Sequence, residues 1–286
     1  MPNQKSTPVI ALFADNLMFS IKIQNSAKML GYKVELIDSN KLIDQNYGTR
    51  FRQQIAEHVG GTGFWLFDNL TKLQPALIII DLGIENIQWG LWVSSLKSAP
   101  ATQRIPLIGF CSHTHVEKIK MAKKAGADKV FSRSFFMNDI QSIIQKFAIQ
   151  YNKDEDFDPF CQSELSPQAY KGLVKFNEGD YFEAHELLEE AWMADSGQGR
   201  ELYRAILQIA VAYYQIQCVN FEGAIKMFLR VRKWIYKLPD TCRGVNIQKL
   251  RKDSNRVFDV VQCLGKTGLN EFDFELLQPV EYSFSK

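Results

Sequence analysis

The fold of the first half of the chain is decided by one stretch, Pro75-Ala76-Leu77-Ile78-Ile79-Ile80-Asp81-Leu82. Its centre, residues 76–80, is uniformly apolar and rich in isoleucine, a pattern typical of a strand covered on both faces of a parallel sheet. Asp81 follows at the carboxyl end of this strand, and open α/β sheets bind their ligands at that edge. The stretch therefore predicts a buried central strand with a candidate functional carboxylate at its end.

Strand and helix signals alternate on both sides of this strand. Further strands are predicted at 9–13, 33–37, 105–110 and 129–131, and helices at 16–30, 50–58, 115–125 and 137–151. Such alternation is typical of a doubly wound parallel sheet, here with five strands. The glycines at 60–63 are interpreted as a flexible turn followed by a short element, because no Lys-Ser or Lys-Thr pair follows them as in a phosphate-binding loop.

The second half of the chain has a helical pattern. Residues 152–165 are acidic and lack periodicity, so they predict a linker between an α/β domain at 1–151 and a helical domain at 166–286. Ser166 and Pro167 suit the N-cap and first turn of a helix, and Asp180 with Glu183 marks the start of the next. Further helices are predicted at 200–218, 221–236 and 246–264, which indicates a helical bundle or a set of helical hairpins.

Composition and charge exclude several classes of function. The net charge is +2, with a positive first half and a negative second half, and neither half has the dense basic stripe of a nucleic-acid-binding protein. No apolar run approaches the roughly 18 residues of a membrane span. The five cysteines are an odd number without metal-ligand spacing, which predicts reduced thiols and a cytoplasmic protein.

Residues 8–150 resemble the receiver domain of response regulators in the order and spacing of their landmarks. These landmarks are Asp15 after the first strand, Asp81 after the third, Ile105-Pro106-Leu107-Ile108 at the fourth, and Ala125-Gly126-Ala127-Asp128 before the fifth. The resemblance implies that Asp81 accepts a phosphoryl group. It also implies that Asp15 and Asp81 bind Mg²⁺, and that Arg133 contacts the phosphate.

Four departures from the receiver pattern favour a pseudo-receiver, which keeps the fold as a docking surface. They are Ala14-Asp15 in place of two acids, Cys111 beside Ser112 at the hydroxyl position, Arg133-Ser134 in place of Lys-Pro, and Gly83-Ile84-Glu85 without Met-Pro. Loss of a carboxylate weakens a Mg²⁺ site that the protein supplies only in part. A planar guanidinium also differs from a compact ammonium as a phosphate ligand.

The helical half has its densest polar segment between Phe182 and Trp192. His185 and Glu189 are four residues apart, as are Glu186 and Glu190, so each pair lies on one face of a helix. Arg204 and Gln208 are also four apart, on a helix that is otherwise apolar. Buried polar groups need partners, and the predicted partners are His185, Glu186 and Glu189.

This half resembles a helical family known as domain of unknown function 309, over about residues 167–237. The shared pattern is Phe176-Asn177-x-Gly179-x-x-Phe182-Glu183-Ala184-His185-Glu186-x-x-Glu189-x-x-Trp192, followed by an Arg, Gln208-x-Ala210 and Ala224. The resemblance implies a fold and no specific function.

Three interpretations of this polar cluster stay open. The first is a buried hydrogen-bonding and salt-bridge network that fixes helix packing. The second is a ligand or partner pocket bordered by Trp192 and Tyr213. The third is a metal or acid–base site, although the two-histidine spacing of zinc proteases is absent.

Three functions are compatible with this organisation. The first is a signalling or adaptor protein in which a pseudo-receiver positions or modulates a helical interaction domain for a protein partner. The second is a phosphorylated response regulator that uses Asp81, with Mg²⁺ as a possible cofactor. The third is a small metal- or ligand-binding enzyme that uses His185, Glu186 and Glu189. The pattern favours the first, a non-enzymatic role.

Overall fold

The structure is a computed structural model that describes residues 7–37, 62–85, 89–149 and 158–283. The chain divides into two compact units, Met1–Asn152 and Lys153–Lys286. The helix predicted at 50–58 and residues 152–157 of the linker predicted at 152–165 lie outside the described residues. The described part of that linker includes a short helix at Asp158–Cys161, which the lack of periodicity did not predict.

The first unit contains a five-stranded parallel sheet. Its strands are β1 (Val9–Phe13), β2 (Lys33–Leu36), β3 (Leu77–Asp81), β4 (Leu107–Cys111) and β5 (Lys129–Ser132). Their order across the sheet is β2-β1-β3-β4-β5, which is the doubly wound order of receiver and flavodoxin folds. The prediction of a five-stranded parallel sheet is therefore confirmed.

Helices pack on both faces of this sheet. They are α1 (Leu17–Met29), α2 (Thr62–Leu73), α3 (Trp89–Ser98), α4 (Val116–Lys124), α5 (Arg133–Asn138) and α6 (Ile140–Phe147). Because successive side chains of a strand point to opposite faces, Ile78 and Ile80 pack in one core cluster and Leu77 and Ile79 in another. All five residues of β3 are buried, as its apolar run predicts.

Two predictions for this unit are wrong in detail. The single helix predicted at 137–151 is two helices, α5 and α6, separated at Asp139, whose φ of −126° is not helical. Helix α3 was not predicted. Its buried residues nevertheless repeat at helical spacing: Trp89, Trp92, Val93 and Leu96. In addition, α2 begins at Thr62, so it includes part of the turn predicted at 60–63.

The second unit is built mainly from helices. They are α7 (Asp158–Cys161), α8 (Pro167–Asn177), α9 (Tyr181–Ala194), α10 (Arg200–Gln217), α11 (Phe221–Ile235) and α12 (Ile247–Gly268), followed by short 3₁₀ turns. The predicted caps are present: the Ser166 side chain accepts a hydrogen bond from the amide of Ala169, and Asp180 accepts one from that of Glu183. Helix α10 is the most buried of the set, as its apolar sequence predicts.

A small β-hairpin precedes α12 and contains a disulfide. Its strands are β6 (Thr241–Cys242) and β7 (Val245–Asn246), joined by Arg243 and Gly244, which both have positive φ as tight two-residue hairpins require. Cys242 is bonded to Cys161 at the end of α7. The prediction of reduced thiols is therefore wrong for this pair, and a pairing 81 residues apart leaves no signal in local spacing.

The described ranges contain no helix with both the length and the apolarity needed to cross a membrane.

Candidate functional site

The carboxyl edge of the first unit's sheet places Asp81 beside Arg133. Asp81 ends β3 and is almost fully buried, with 6% of its side chain exposed. Its Oδ1 accepts a hydrogen bond of 2.8 Å from the amide of Gly83 and lies 3.5 Å from Nη2 of Arg133. The guanidinium of Arg133 therefore faces the carboxylate of Asp81, the residue whose position resembles that of a receiver's phosphoacceptor.

Arg133 is held in this position by its helix and by an aromatic ring. It is the first residue of α5, whose N-cap is Ser132 at the end of β5. Its guanidinium lies over the ring of Phe19, 4.9 Å from the centroid, which is a cation–π contact. The side chain is 35% exposed, and its Nε is buried without a hydrogen-bond partner among the described residues.

Burial dominates the electrostatics of this edge. Desolvation raises the pKa of Asp81, and the nearby charge of Asp15 raises it further, while the amide of Gly83 and the Arg133 guanidinium act in the opposite direction. The pKa of the Cys111 thiol is also raised, first by burial and then by the negative charge of Asp81. A thiol that is buried and protonated is a poor nucleophile.

The position that resembles a receiver's switch hydroxyl is occupied by the buried Cys111, and Ser112 is the hydroxyl next to it. Its Oγ lies 2.9 Å from Oγ1 of Thr114. An open cavity of about 330 Å³ adjoins this edge and is lined by Ser112, His113, Arg133, Ser134, Met137 and Asn138. Arg133 thus lines this cavity and also faces Asp81.

The residues at this edge do not fit a Mg²⁺ site. A hard divalent cation takes about six oxygen ligands, of which receivers supply several carboxylates. Asp15 and Asp81 are the acids that the receiver resemblance assigns to the ion, and Oδ1 of Asp81 already accepts a hydrogen bond from the Gly83 amide and faces a guanidinium. The described ranges contain no group of three or more His, Cys, Asp or Glu side chains arranged to bind a metal ion.

In the second unit, the His185 segment lies at the surface of α9. Nε2 of His185 is 3.8 Å from Oε2 of Glu189, with 29% and 41% of the side chains exposed, and Glu186 is exposed. The prediction of a buried network is wrong for these three side chains. The apolar face of the same helix, represented by Ala184 and Leu188, is buried instead.

Arg204 lies between two indole rings. Its guanidinium carbon is 5.0 Å from the ring centroid of Trp192 on α9 and 4.2 Å from that of Trp234 on α11, and Nη1 is 3.7 Å from Oε1 of Glu201. Arg200, one turn earlier on α10, lies 4.5 Å from the same Trp192 ring. Arg204 therefore contacts Trp192, which the sequence places in the same cluster, and also Trp234 and Glu201, which no sequence pattern indicated.

Two further predictions about this cluster need correction. Gln208 is buried, but its Oε1 has no hydrogen-bond partner among the described residues, so His185 does not donate to it. Tyr213 is fully buried, with its ring 5.5 Å from Phe176 and 5.2 Å from Tyr181. It is therefore part of the core and does not border a pocket with Trp192.

One family model matches part of the second unit. Residues 170–227 match the family described as "Domain of unknown function (DUF309)". This match includes His185, Glu189, Trp192, Arg204 and Gln208. The chain thus joins a receiver-like sheet to a helical unit that is similar to this family over residues 170–227.

Curated relatives match the chain over a limited part of its length. An uncharacterized protein of Aquifex aeolicus is 27% identical over 77 residues, which are 27% of this chain and 23% of that protein. The uncharacterized protein YpuF of Bacillus subtilis is 41% identical over 66 residues, which are 22% of this chain and 38% of that protein. The chain therefore spans less than half the length of either relative.

Solved structures similar to the first unit are response regulators. The phosphorylated cyanobacterial phytochrome response regulator RcpA has 15% identity and a TM-score of 0.36, covering 50% of this chain and 94% of its own. A response regulator from Thermotoga maritima has 12% identity and a TM-score of 0.34, covering 50% and 98%. The receiver-like fold itself is established by the parallel strand order and register given above.

Proposed function

We propose that this protein is a signalling or adaptor protein whose first unit is a pseudo-receiver. In this role the first unit keeps the receiver-like fold, does not accept a phosphoryl group on Asp81, and positions or modulates the helical unit for a protein partner. The observation that supports the proposal is the ion pair between Arg133 and Asp81, with 6% of the Asp81 side chain exposed.

Phosphoryl transfer to Asp81 has two requirements, and this arrangement opposes the first of them. A carboxylate oxygen must reach the phosphorus in line with the leaving group, and a cation must neutralise the oxygens of the transferred group. Asp81 is buried, its Oδ1 is committed to Gly83 and Arg133, and burial raises its pKa. Arg133 thus compensates the charge of Asp81 without a divalent cation.

The experiment uses acetyl phosphate as the phosphoryl donor. The full chain is incubated with acetyl phosphate and Mg²⁺, and intact mass is measured for the wild type, Asp81→Asn, Arg133→Lys and Arg133→Lys combined with Asp81→Asn. The transfer would form a bond from an Asp81 oxygen to phosphorus and release acetate. We expect no mass increase in the wild type. A phosphoryl adduct in the wild type that is absent from Asp81→Asn would overturn the proposal and make the protein a response regulator.

Arg133→Lys tests the cause. Lysine keeps the charge but lacks the planar fork that spans Asp81 and Phe19. An adduct that appears only with Arg133→Lys, and disappears when Asp81→Asn is added, would show that the arginine blocks an otherwise competent acceptor. An adaptor role also predicts that the proteins captured by the full chain are the same with and without acetyl phosphate.

The cluster of His185, Glu186 and Glu189 supports no enzymatic proposal. His185 and Glu189 are partly exposed, Glu186 is exposed, and the described part of the chain has no metal-binding group of three ligands.

A further inference from the structure

Residues 278–283 run along the small hairpin of the second unit and pair with it. We call this run of residues the strap. It forms an isolated antiparallel bridge to β7. The amide of Asn246 donates to the carbonyl oxygen of Glu281, and the amide of Ser283 donates to that of Gly244, each at 2.9 Å. The strap therefore pairs with the edge of the hairpin in the way that an extended peptide pairs with the edge of a sheet.

The side chain of Asn177, the last residue of α8, binds the backbone of the strap at Val280. Its Nδ2 donates to the carbonyl oxygen of Val280 at 3.0 Å, and its Oδ1 accepts a hydrogen bond of 2.7 Å from the amide of Val280. A carboxamide that makes both bonds to one residue replaces the backbone of a neighbouring strand. Asn177 lies within the family match over residues 170–227, whereas the strap lies outside it. This binding group thus belongs to the family-like part of the unit, and its occupant does not.

Three consecutive side chains of the strap have distinct environments. Val280 is buried, with 3% of the residue exposed. Oε1 of Glu281 lies 3.7 Å from Nζ of Lys249. The ring of Tyr282 packs edge-on against that of Tyr170, with the centroids 5.8 Å apart. The second unit therefore recognises, in order, an apolar residue, an acid and an aromatic residue.

The strap has few of the contacts that make a segment a fixed part of a fold. Of residues 278–283, all of which the structure describes, only Val280 is buried, and Tyr282 is half-buried. The ion pair of Glu281 is at the surface, with 55% of that side chain exposed, and such pairs contribute little to stability. Segments with few buried apolar contacts open locally without global unfolding. A competing segment can therefore reach the surface beneath the strap when the strap opens.

We propose that the surface beneath the strap docks an extended segment of a partner protein, and that the strap is its intramolecular competitor. This strap site consists of the residues that bind the strap: Tyr170, Asn177, Gly244, Asn246 and Lys249. The partner segment has the chemistry of the strap, an apolar residue followed by an acid and an aromatic residue. The inference rests on the proposed adaptor function and names the surface of the helical unit on which the protein partner binds.

Peptide binding tests the proposal. The probe is a fluorescein-labelled peptide with the sequence of residues 277–283, Leu-Gln-Pro-Val-Glu-Tyr-Ser, blocked at both ends. Anisotropy measures its binding to the full chain and to a double variant, Val280→Ser with Tyr282→Ser, which weakens the strap and leaves the strap site unchanged. Because only molecules with an open site bind the peptide, the apparent Kd rises as the open fraction falls. We expect the double variant to bind with a Kd below about 1 mM, at least roughly tenfold more tightly than the wild type.

Two further changes test how the peptide is bound. In the background of the double variant, Asn177→Ala removes both hydrogen bonds to the peptide backbone and should weaken binding at least roughly fivefold. Its matched control is Asn255→Ala, because Asn255 donates to the hydroxyl of Tyr236 outside the strap site; this change should leave the Kd unchanged. A peptide with serine in place of its valine and its tyrosine should bind at least roughly tenfold more weakly, since it buries less apolar surface. Thermal unfolding verifies that each variant is folded.

Hydrogen exchange on the wild type tests opening of the strap whether or not the variants fold. The amides of Val280, Asn246 and Ser283, which donate hydrogen bonds between the strap and its site, should exchange at least roughly a hundredfold faster than those of α10. Exchange of these amides at the rate of α10 would overturn the proposal and make the strap a fixed part of the unit.

Three outcomes of the peptide experiment would also overturn it: equal binding by the wild type and the double variant, absence of binding by the folded double variant, or binding that survives Asn177→Ala. These measurements do not depend on Asp81. Their failure therefore leaves the acetyl phosphate experiment on the first unit to be decided by its own result.

Discussion

Nη2 of Arg133 lies 3.5 Å from Oδ1 of Asp81, and the same guanidinium covers the ring of Phe19. The residue at the position of a receiver's phosphate-binding cation thus pairs with the residue at the position of its phosphoacceptor. An ion pair that is one-third exposed on the arginine side contributes modestly to stability. Its main consequence is electrostatic, because it compensates a buried carboxylate within the protein.

Asp81 makes stability depend on pH in a defined direction. Its pKa in the folded state is raised, chiefly by burial, so the folded protein binds a proton more readily than the unfolded chain. Stability therefore falls as pH rises from the ordinary range of an aspartate through the raised pKa. Asparagine resembles the protonated side chain and does not titrate, so we expect Asp81→Asn to become more stable than the wild type across this window. Urea unfolding at a series of pH values measures the difference.

The control for this pH dependence is Arg133→Gln. Removing the guanidinium removes an interaction that lowers the pKa of Asp81. The pH range over which stability falls should therefore extend to higher pH in this variant. A constant difference between Asp81→Asn and the wild type at all pH values would contradict the prediction.

The disulfide between Cys161 and Cys242 should stabilise the second unit. It closes a long loop, because the two cysteines are 81 positions apart in sequence, and therefore restricts the unfolded chain. We expect the double change Cys161→Ala and Cys242→Ala to lower the free energy of unfolding by about 2–4 kcal/mol. Cys263→Ala, at an exposed free cysteine, is the control and should have little effect.

The presence of this disulfide can be tested by alkylating the free thiols in denaturant and counting the labels per chain. Cys111, Cys218 and Cys263 are free, so the oxidised chain should take up three labels, and the reduced chain should take up labels on all five cysteines. Five labels without reductant would show that the bond is not formed.

Two buried tyrosines should respond in opposite ways to loss of their hydroxyl groups. The hydroxyl of Tyr213 is buried without a hydrogen-bond partner among the described residues, whereas that of Tyr203 accepts hydrogen bonds from the amide of Ser166 and from Arg243. We expect Tyr213→Phe to be neutral or stabilising by up to about 1 kcal/mol, and Tyr203→Phe to be destabilising by about 1–3 kcal/mol. Thermal unfolding compares them, and a larger loss with Tyr213→Phe would show a hidden partner.

Gly172 permits close packing between α8 and α9. A Cβ atom added there would lie 2.7 Å from Cγ of Leu188 and 3.4 Å from the carbonyl oxygen of Ala184. We expect Gly172→Ala to lower stability by about 1–3 kcal/mol, as overpacking does. Gly90→Ala is the matched control within helix α3, where the added Cβ meets nothing within 4 Å. It should stabilise by about 0.5–1 kcal/mol, and equal losses at both positions would contradict the packing argument.

Local pattern was sufficient for most of the secondary structure. The apolar run at 76–80 predicted a fully buried strand, and capping residues such as Ser166 and Asp180 predicted the starts of α8 and α9. These signals are readable because a strand or a capped helix depends on residues that are close in sequence. Helix α3 also carried such a signal, in the spacing of Trp89, Trp92, Val93 and Leu96, and could have been predicted.

The candidate sites depended on contacts that no local pattern contains. Trp234 meets Arg204 from a different helix, and the partner of Cys161 is 81 residues away. For Arg204, the sequence predicted only that polar side chains must contact it, because a buried charge needs compensation. It did not predict that the ring of Trp234, on another helix, would form part of that environment.

The sequence by itself determined the alternation of elements, the doubly wound class of the first unit and the helical class of the second, because these follow from periodicity and caps. It also indicated Asp81 and Arg133 as a pair of interest through their places at strand ends. Only the tertiary structure decided that Arg133 faces Asp81 and that Arg204 lies between the rings of Trp192 and Trp234. The physical reason is that pairing and burial are properties of residues brought together from distant parts of the chain, where packing determines which groups meet.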